Sequence, residues 1–123
     1  MPKRLLDVGN CVPDHAAIRA LVNSNFDAEV VQAHGPDDTL DQLRKQPFDL
    51  VLINRKLDRD YTDGIEVLRQ IKSDAELAKT PVMLISNYAE HQEQAVAAGA
   101  EYGFGKLEFN HSATHEKLAR FLK

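Results

Sequence analysis

Cysteine occurs once, at Cys11, and tryptophan not at all. A lone cysteine closes no internal disulfide, so a small secreted scaffold held by cross-links is excluded; the missing tryptophan bears on nothing in the fold. The opening stretch MPKRLLDVG has no long apolar run of the kind a signal peptide carries, so the cytoplasm is the expected compartment, with no membrane contact. Basic side chains are outnumbered, fifteen against nineteen acidic ones, and the net charge of -4 argues against a general grip on nucleic-acid phosphates. There is no glycine-rich phosphate loop, internal repeat, linker or low-complexity tract. A length of 123 residues then reads as one domain over residues 1–123.

What is present is an alternation. Short apolar segments at 5–8, 28–33, 50–53 and 82–85, with a weaker one at 102–105, are separated by stretches with helical spacing. Leu50 to Ile53 and Val82 to Ile85 are uninterrupted apolar runs, as expected of parallel strands covered on both faces. Glu29 and Gln32 interrupt the second segment, which predicts an edge strand. Ile18, Leu21 and Val22, then Leu40 and Leu43, then Ile65, Leu68 and Ile71, and last Leu118, Phe121 and Leu122 mark helix faces turned to the sheet. A weakly apolar helix is predicted over 88–98. Pro36 and Asn110 look like helix starts.

Five βα units with right-handed crossovers build a flavodoxin-like three-layer α/β/α fold, a five-stranded parallel sheet in the order 2-1-3-4-5. Ligands of such sheets sit at the carboxyl ends of the strands, beside the switch between the first and third. The residues there are Gly9 and Asn10, Asn54, Ser86 and Lys106. The surrounding stretches FDLVLINRKL, DGIEVLRQIK, PVMLIS and AAGAEYGFGK resemble the receiver domains of two-component response regulators, in the right order and over essentially the whole chain.

The resemblance implies a phosphoryl-accepting aspartate at the end of the third strand, an acidic pair after the first that helps it hold Mg²⁺, and a Ser or Thr and a Lys that contact the phosphoryl oxygens. Ser86 and Lys106 match; the acceptor position holds Asn54, and the acidic pair is replaced by Gly9 and Asn10. Acyl-phosphate formation needs a carboxylate nucleophile, and Mg²⁺ wants anionic oxygens. The expectation is a degenerate pocket, no Mg²⁺ or other cofactor, no enzymatic activity, and signalling by protein contact. Leu107 replaces the usual proline, and the loop after the third strand is two residues longer than usual, with Asp58, Asp60 and Asp63 before Gly64. The aromatic that switches rotamer in the family aligns with Gly103. The implied partners are a signalling protein, a histidine kinase or another regulator, with a homodimer as a further form. The candidate contact face is Tyr88, Gln92, Tyr102, Phe104 and His115.

Two other readings stand beside this one. A working phosphorelay receiver would use Asp58 or Asp7 as acceptor; an anion- or nucleotide-binding module would use Asn10, Asn54, Ser86 and Lys106. The acidic loop lacks the order and distal glutamate of a calcium loop and reads as solvated charge. Asp7, inside a central strand, is read as partly exposed and held by backbone amides or a neighbouring base. Cys11 is read as a small buried or half-buried residue, and His15, His34, His91, His111 and His115 as surface residues; the spacing of His111 and His115 allows half a metal site at most.

Overall fold

A computed structural model describes residues 2–123. The elements are β1 (Lys3–Val8), α1 (Val12–Asn25), β2 (Ala28–Ala33), α2 (Pro36–Lys45), β3 (Leu50–Asn54), α3 (Gly64–Ser73), β4 (Val82–Ile85), α4 (Ala89–Ala97), β5 (Glu101–Phe104) and α5 (Ser112–Leu122), with one 3₁₀ turn at Lys106–Glu108. The sheet is parallel in the order β2-β1-β3-β4-β5, the flavodoxin-like arrangement expected from the alternation.

Leu50, Val51, Leu52 and Ile53 have no solvent exposure, and Val82 to Ile85 almost none. Each such side chain contributes about 1.5–3 kcal/mol of burial. Alternation divides the core in two: Leu6, Val8, Val51 and Ile53 face α2, α3 and α4, while Leu5, Leu52, Met83 and Phe104 face α1 and α5. β2 lies at one edge with Glu29 exposed.

Some boundaries differ from expectation. β1 begins at Lys3 because its backbone pairs with β2 from Lys3↔Ala28 onward, whatever the side chains. α5 begins at Ser112 with His111 as its N-cap, and Asn110 lies outside it. The start of α3 is held by the last aspartate of the acidic loop: the Asp63 carboxylate accepts from the Ile65 amide at 3.0 Å.

β4 and β5 pair with a register shift between Met83 and Ile85. Gln92 of α4 repairs the ladder there. It is buried, donates to Leu84 O (2.9 Å) and Ser86 O (3.2 Å), and accepts from Gly103 N (2.8 Å). Gly103 is required by this approach, since a Cβ would stand 2.2 Å from Leu84 O. Gln92→Leu removes one acceptor and two donors from a dry site, so a loss of about 3 kcal/mol or more is expected in urea denaturation.

The predicted contact face is therefore corrected. Gln92 and Phe104 are interior, one bound to backbone and the other packed between the sheet and α5. His115 is exposed but stacks on Phe26 at 5.1 Å, on the α1 side of α5. Tyr88 and Tyr102 are exposed as expected, and Val96, not among the predicted contact residues, is exposed with them. Lys117 lies 5.1 Å from the Tyr102 ring centre and donates to Gly103 O at 2.8 Å, covering part of the free β5 edge.

Candidate functional site

At the carboxyl ends of β3 and β4 a cleft of about 180 Å³ is lined by Asn54, Arg55, Ser86, Tyr88, His91 and Lys106. Three of the five predicted pocket residues thus meet; Gly9 and Asn10 do not line it. Each assignment has a local cause.

Asn54 ends β3, and its side-chain NH₂ donates to Gly9 O (3.2 Å) and Lys56 O (2.7 Å). It ties the β1 and β3 loops together. Gly9 has φ +75°, the left-handed region, and a Cβ there would stand 2.3 Å from Leu57 Cδ2 and 3.0 Å from Leu57 Cα. Leu57, fully buried, fills the space beside β1 in which a residue-9 side chain would lie. The longer loop makes this possible by folding on itself: Leu57 N donates to Thr62 O (2.9 Å), Tyr61 N to Leu57 O (3.0 Å), and Tyr61 takes φ 59°.

Asn10 is fully buried and turned the other way, donating to Asp7 Oδ1 at 2.5 Å. Asp7 Oδ2 meets His15 Nδ1, also at 2.5 Å. Asp7 has no exposure, which corrects the expectation of a partly exposed residue; the neighbouring base is His15, whose place on α1 one turn before Ile18 aims it at the sheet. Burial pushes the Asp7 carboxyl above the usual carboxylate range, and the bonds from His15 and Asn10 oppose that shift without cancelling it. A raised carboxyl favours folding at low pH and loses that advantage as pH climbs through its folded value. Asp7→Asn, which keeps the shape without the charge, is expected to be more stable than the native chain at pH 7 by on the order of 1 kcal/mol. Urea denaturation at pH 7 and pH 4 should show that gain shrinking toward acid.

Lys106 pairs with Asp14 Oδ2 at 2.7 Å, and this contact holds the Asp14 carboxyl below the usual range. Cys11, expected to be at least half-buried, is exposed: it is the N-cap of α1, outside the helix, with its thiol 3.2 Å from Asp14 Oδ2. Ser86 Oγ is 2.7 Å from His91 Nδ1 and accepts from Tyr88 N at 3.3 Å. His15 and His91 are therefore built into the molecule, not spread on its surface. Asp58 lies 3.5 Å from His34 Nδ1 and outside the cleft. Among the described residues no group of three or more His, Cys, Asp or Glu side chains is placed to hold a metal ion, and no helix is long and apolar enough to cross a membrane.

A doubly wound α/β domain with polar residues gathered at the strand ends beside the β1/β3 switch defines the class. Residues 10–116 match the response regulator receiver domain, and the chain belongs to that family. The signal receiver domain of a DNA-binding response regulator from Colwellia psychrerythraea 34H superposes with a TM-score of 0.81 at 22% identity, over 96% of either chain. The chemotaxis response regulator CheY4 of Vibrio cholerae gives 0.79 at 18% identity, over 99% of this chain and 100% of that one. NtrX from Brucella abortus gives 0.80 at 24% identity, over 99% of this chain and 27% of that much longer one. No curated protein sequence matches the chain. The chain is a receiver domain of response-regulator signalling, a class whose members interact with kinases or other regulators.

Proposed function

We propose that this receiver domain signals by protein contact and carries no phosphoryl group at its strand ends, holds no Mg²⁺ and has no catalytic activity of its own. The observation that carries the reading is the commitment of the Asn54 amide to Gly9 O and Lys56 O, in a loop closed underneath by Leu57. A neutral amide is a poor nucleophile for phosphoryl transfer. Of the substitute acceptors, Asp7 has no solvent access, and Asp58 is engaged with His34 outside the cleft.

The contact surface we assign is the exposed set Tyr88, Val96 and Tyr102 on α4 and β5. Its partner is a signalling protein, a histidine kinase or another regulator, or a second copy of this chain, met in the cytoplasm. Intact-protein mass spectrometry after incubation with acetyl phosphate and Mg²⁺ tests the reading. No added phosphoryl mass is expected; a labile, Mg²⁺-dependent adduct would overturn it.

A further inference from the structure

An open sheet has two edges, and this molecule guards one of them far better than the other. β5 is four residues long, its pairing with β4 shifts register between Met83 and Ile85, and Lys117 donates to Gly103 O at 2.8 Å. Shortness, irregularity and a lysine are devices that keep a further strand off an edge. β2 has none of them. It runs for six residues and pairs with β1 in unbroken register from Lys3↔Ala28 to Val8↔Ala33, without lysine, proline or bulge. Its one charge, Glu29, lies 3.7 Å from Arg4 Nε.

The pairing also fixes which backbone groups of β2 face outward. Lys3 N donates to Asp27 O at 3.1 Å and Gly9 N to Ala33 O at 2.9 Å. In this parallel register the odd-numbered residues of β2 therefore face β1, and the N–H and C=O groups of Ala28, Val30 and Gln32 point away from the sheet. Among the described residues no loop or side chain is hydrogen-bonded to these groups. The Gln32 side chain is drawn off to Asn10 O at 3.4 Å, and all three residues are partly exposed.

We infer that the outer edge of β2 is a homodimer interface, on which a second copy of this chain adds its own β2 antiparallel and joins two sheets into one. A two-fold axis perpendicular to the sheet keeps each face on its own side, so it passes through an outward-facing residue, and Val30 is the middle one. Val30 then meets its own symmetry mate in a hydrogen-bonded pair, and Ala28 of either copy meets Gln32 of the other. Every outward N–H and C=O gains a partner. Glu29 stands opposite Val31 of the other copy, diagonal to its own mate and beside Arg4, so no like charges are directly opposed. The edge is thus complementary to itself, as a two-fold interface requires. Six residues span about 20 Å. A contact that narrow buries less than the ~1,200 Å² at which stable interfaces begin, so the dimer is reversible. Its dissociation constant is about 0.1–1 mM. The interface lies at the opposite edge of the sheet from Tyr102. It stands whether or not the chain signals by contact.

Sedimentation equilibrium and ¹⁵N-edited spectra, recorded from well below to well above that dissociation constant, test it. The expected result is a monomer–dimer equilibrium with concentration-dependent amide shifts centred on residues 28–32 and slowed hydrogen exchange at Ala28, Val30 and Gln32. Val30→Pro and Ala28→Pro each delete an outward N–H that β1 does not use, where an edge strand tolerates proline. With a native spectrum at low concentration, each should weaken dimerisation about tenfold or more, because the two-fold removes one hydrogen bond from either copy. If neither variant folds, the concentration series on the native chain decides alone. A monomer over the whole range would overturn the inference. So would a dimer whose shifts fall on Tyr88, Val96 and Tyr102, or one that both proline variants leave unchanged.

Discussion

Gly9→Asp, which on family resemblance alone would look like a step toward restoring an acidic pair, is expected to destabilise the protein by about 2–5 kcal/mol. Two terms add. A side chain at φ +75° costs about 1–2 kcal/mol in the left-handed region. The Cβ would then stand 2.3 Å from Leu57 Cδ2 and 3.0 Å from Leu57 Cα, and forcing atoms into a filled interior costs about 1–3 kcal/mol more. Leu57 has nowhere to withdraw, because it is fully buried and its backbone is fixed to Thr62 O and Tyr61 N. Urea denaturation of Gly9→Asp, Leu57→Ala and the double variant separates the terms. Leu57→Ala alone costs about 2–5 kcal/mol through its cavity. The double variant should fall well short of the sum, since the cavity receives the new carboxylate. A strictly additive double variant would mean that the two residues do not share that space.

The order of strands was legible because β3 and β4 are covered on both faces and therefore read as unbroken apolar runs, whereas the edge strand β2 carries Glu29 and Gln32. The gathering of Asn54, Ser86 and Lys106 followed from that topology alone. What stayed hidden depended on conformation more than composition. Leu57 reads as an ordinary loop residue until the loop closes with Tyr61 at φ 59°, an uncommon angle for a non-glycine residue that no local pattern announces. The Asp7–His15 contact did leave a trace: His15, Ile18 and Val22 share one helical face, so the histidine had to point at the strand that holds the buried carboxylate. Gln92 likewise shares the inward face of α4 with Ala95, and Gly103 within a strand marked a close backbone approach. Gln92 and Phe104 look as available to a partner as Tyr88 and Tyr102 until the sheet shows which sides of α4 and β5 it buries.

Asn54→Asp is expected to leave the protein less stable by about 1 kcal/mol or more and still without a saturable Mg²⁺ site. The native amide is a double donor, to Gly9 O at 3.2 Å and Lys56 O at 2.7 Å. A carboxylate has no proton for either, so two carbonyls lose their partner and face a negative charge; the loss at part-buried Gly9 O costs about 1 kcal/mol or more, and that at exposed Lys56 O less, because water replaces the donor there. The new carboxylate also stands alone. Asn10, the nearest candidate for a companion oxygen, is turned into the interior toward Asp7, and the space beside Gly9 belongs to Leu57. One carboxylate with no second anionic ligand and no phosphate is a weak magnesium site. Urea denaturation and isothermal titration with Mg²⁺ on the same variant give the two readouts. A destabilised protein with no heat of binding supports a β1–β3 junction that has become a hydrogen-bonded strut. Saturable Mg²⁺ binding that restores stability would show instead that the loop carrying Leu57 yields readily, and that the arrangement around Asn54 is one of two the chain can adopt.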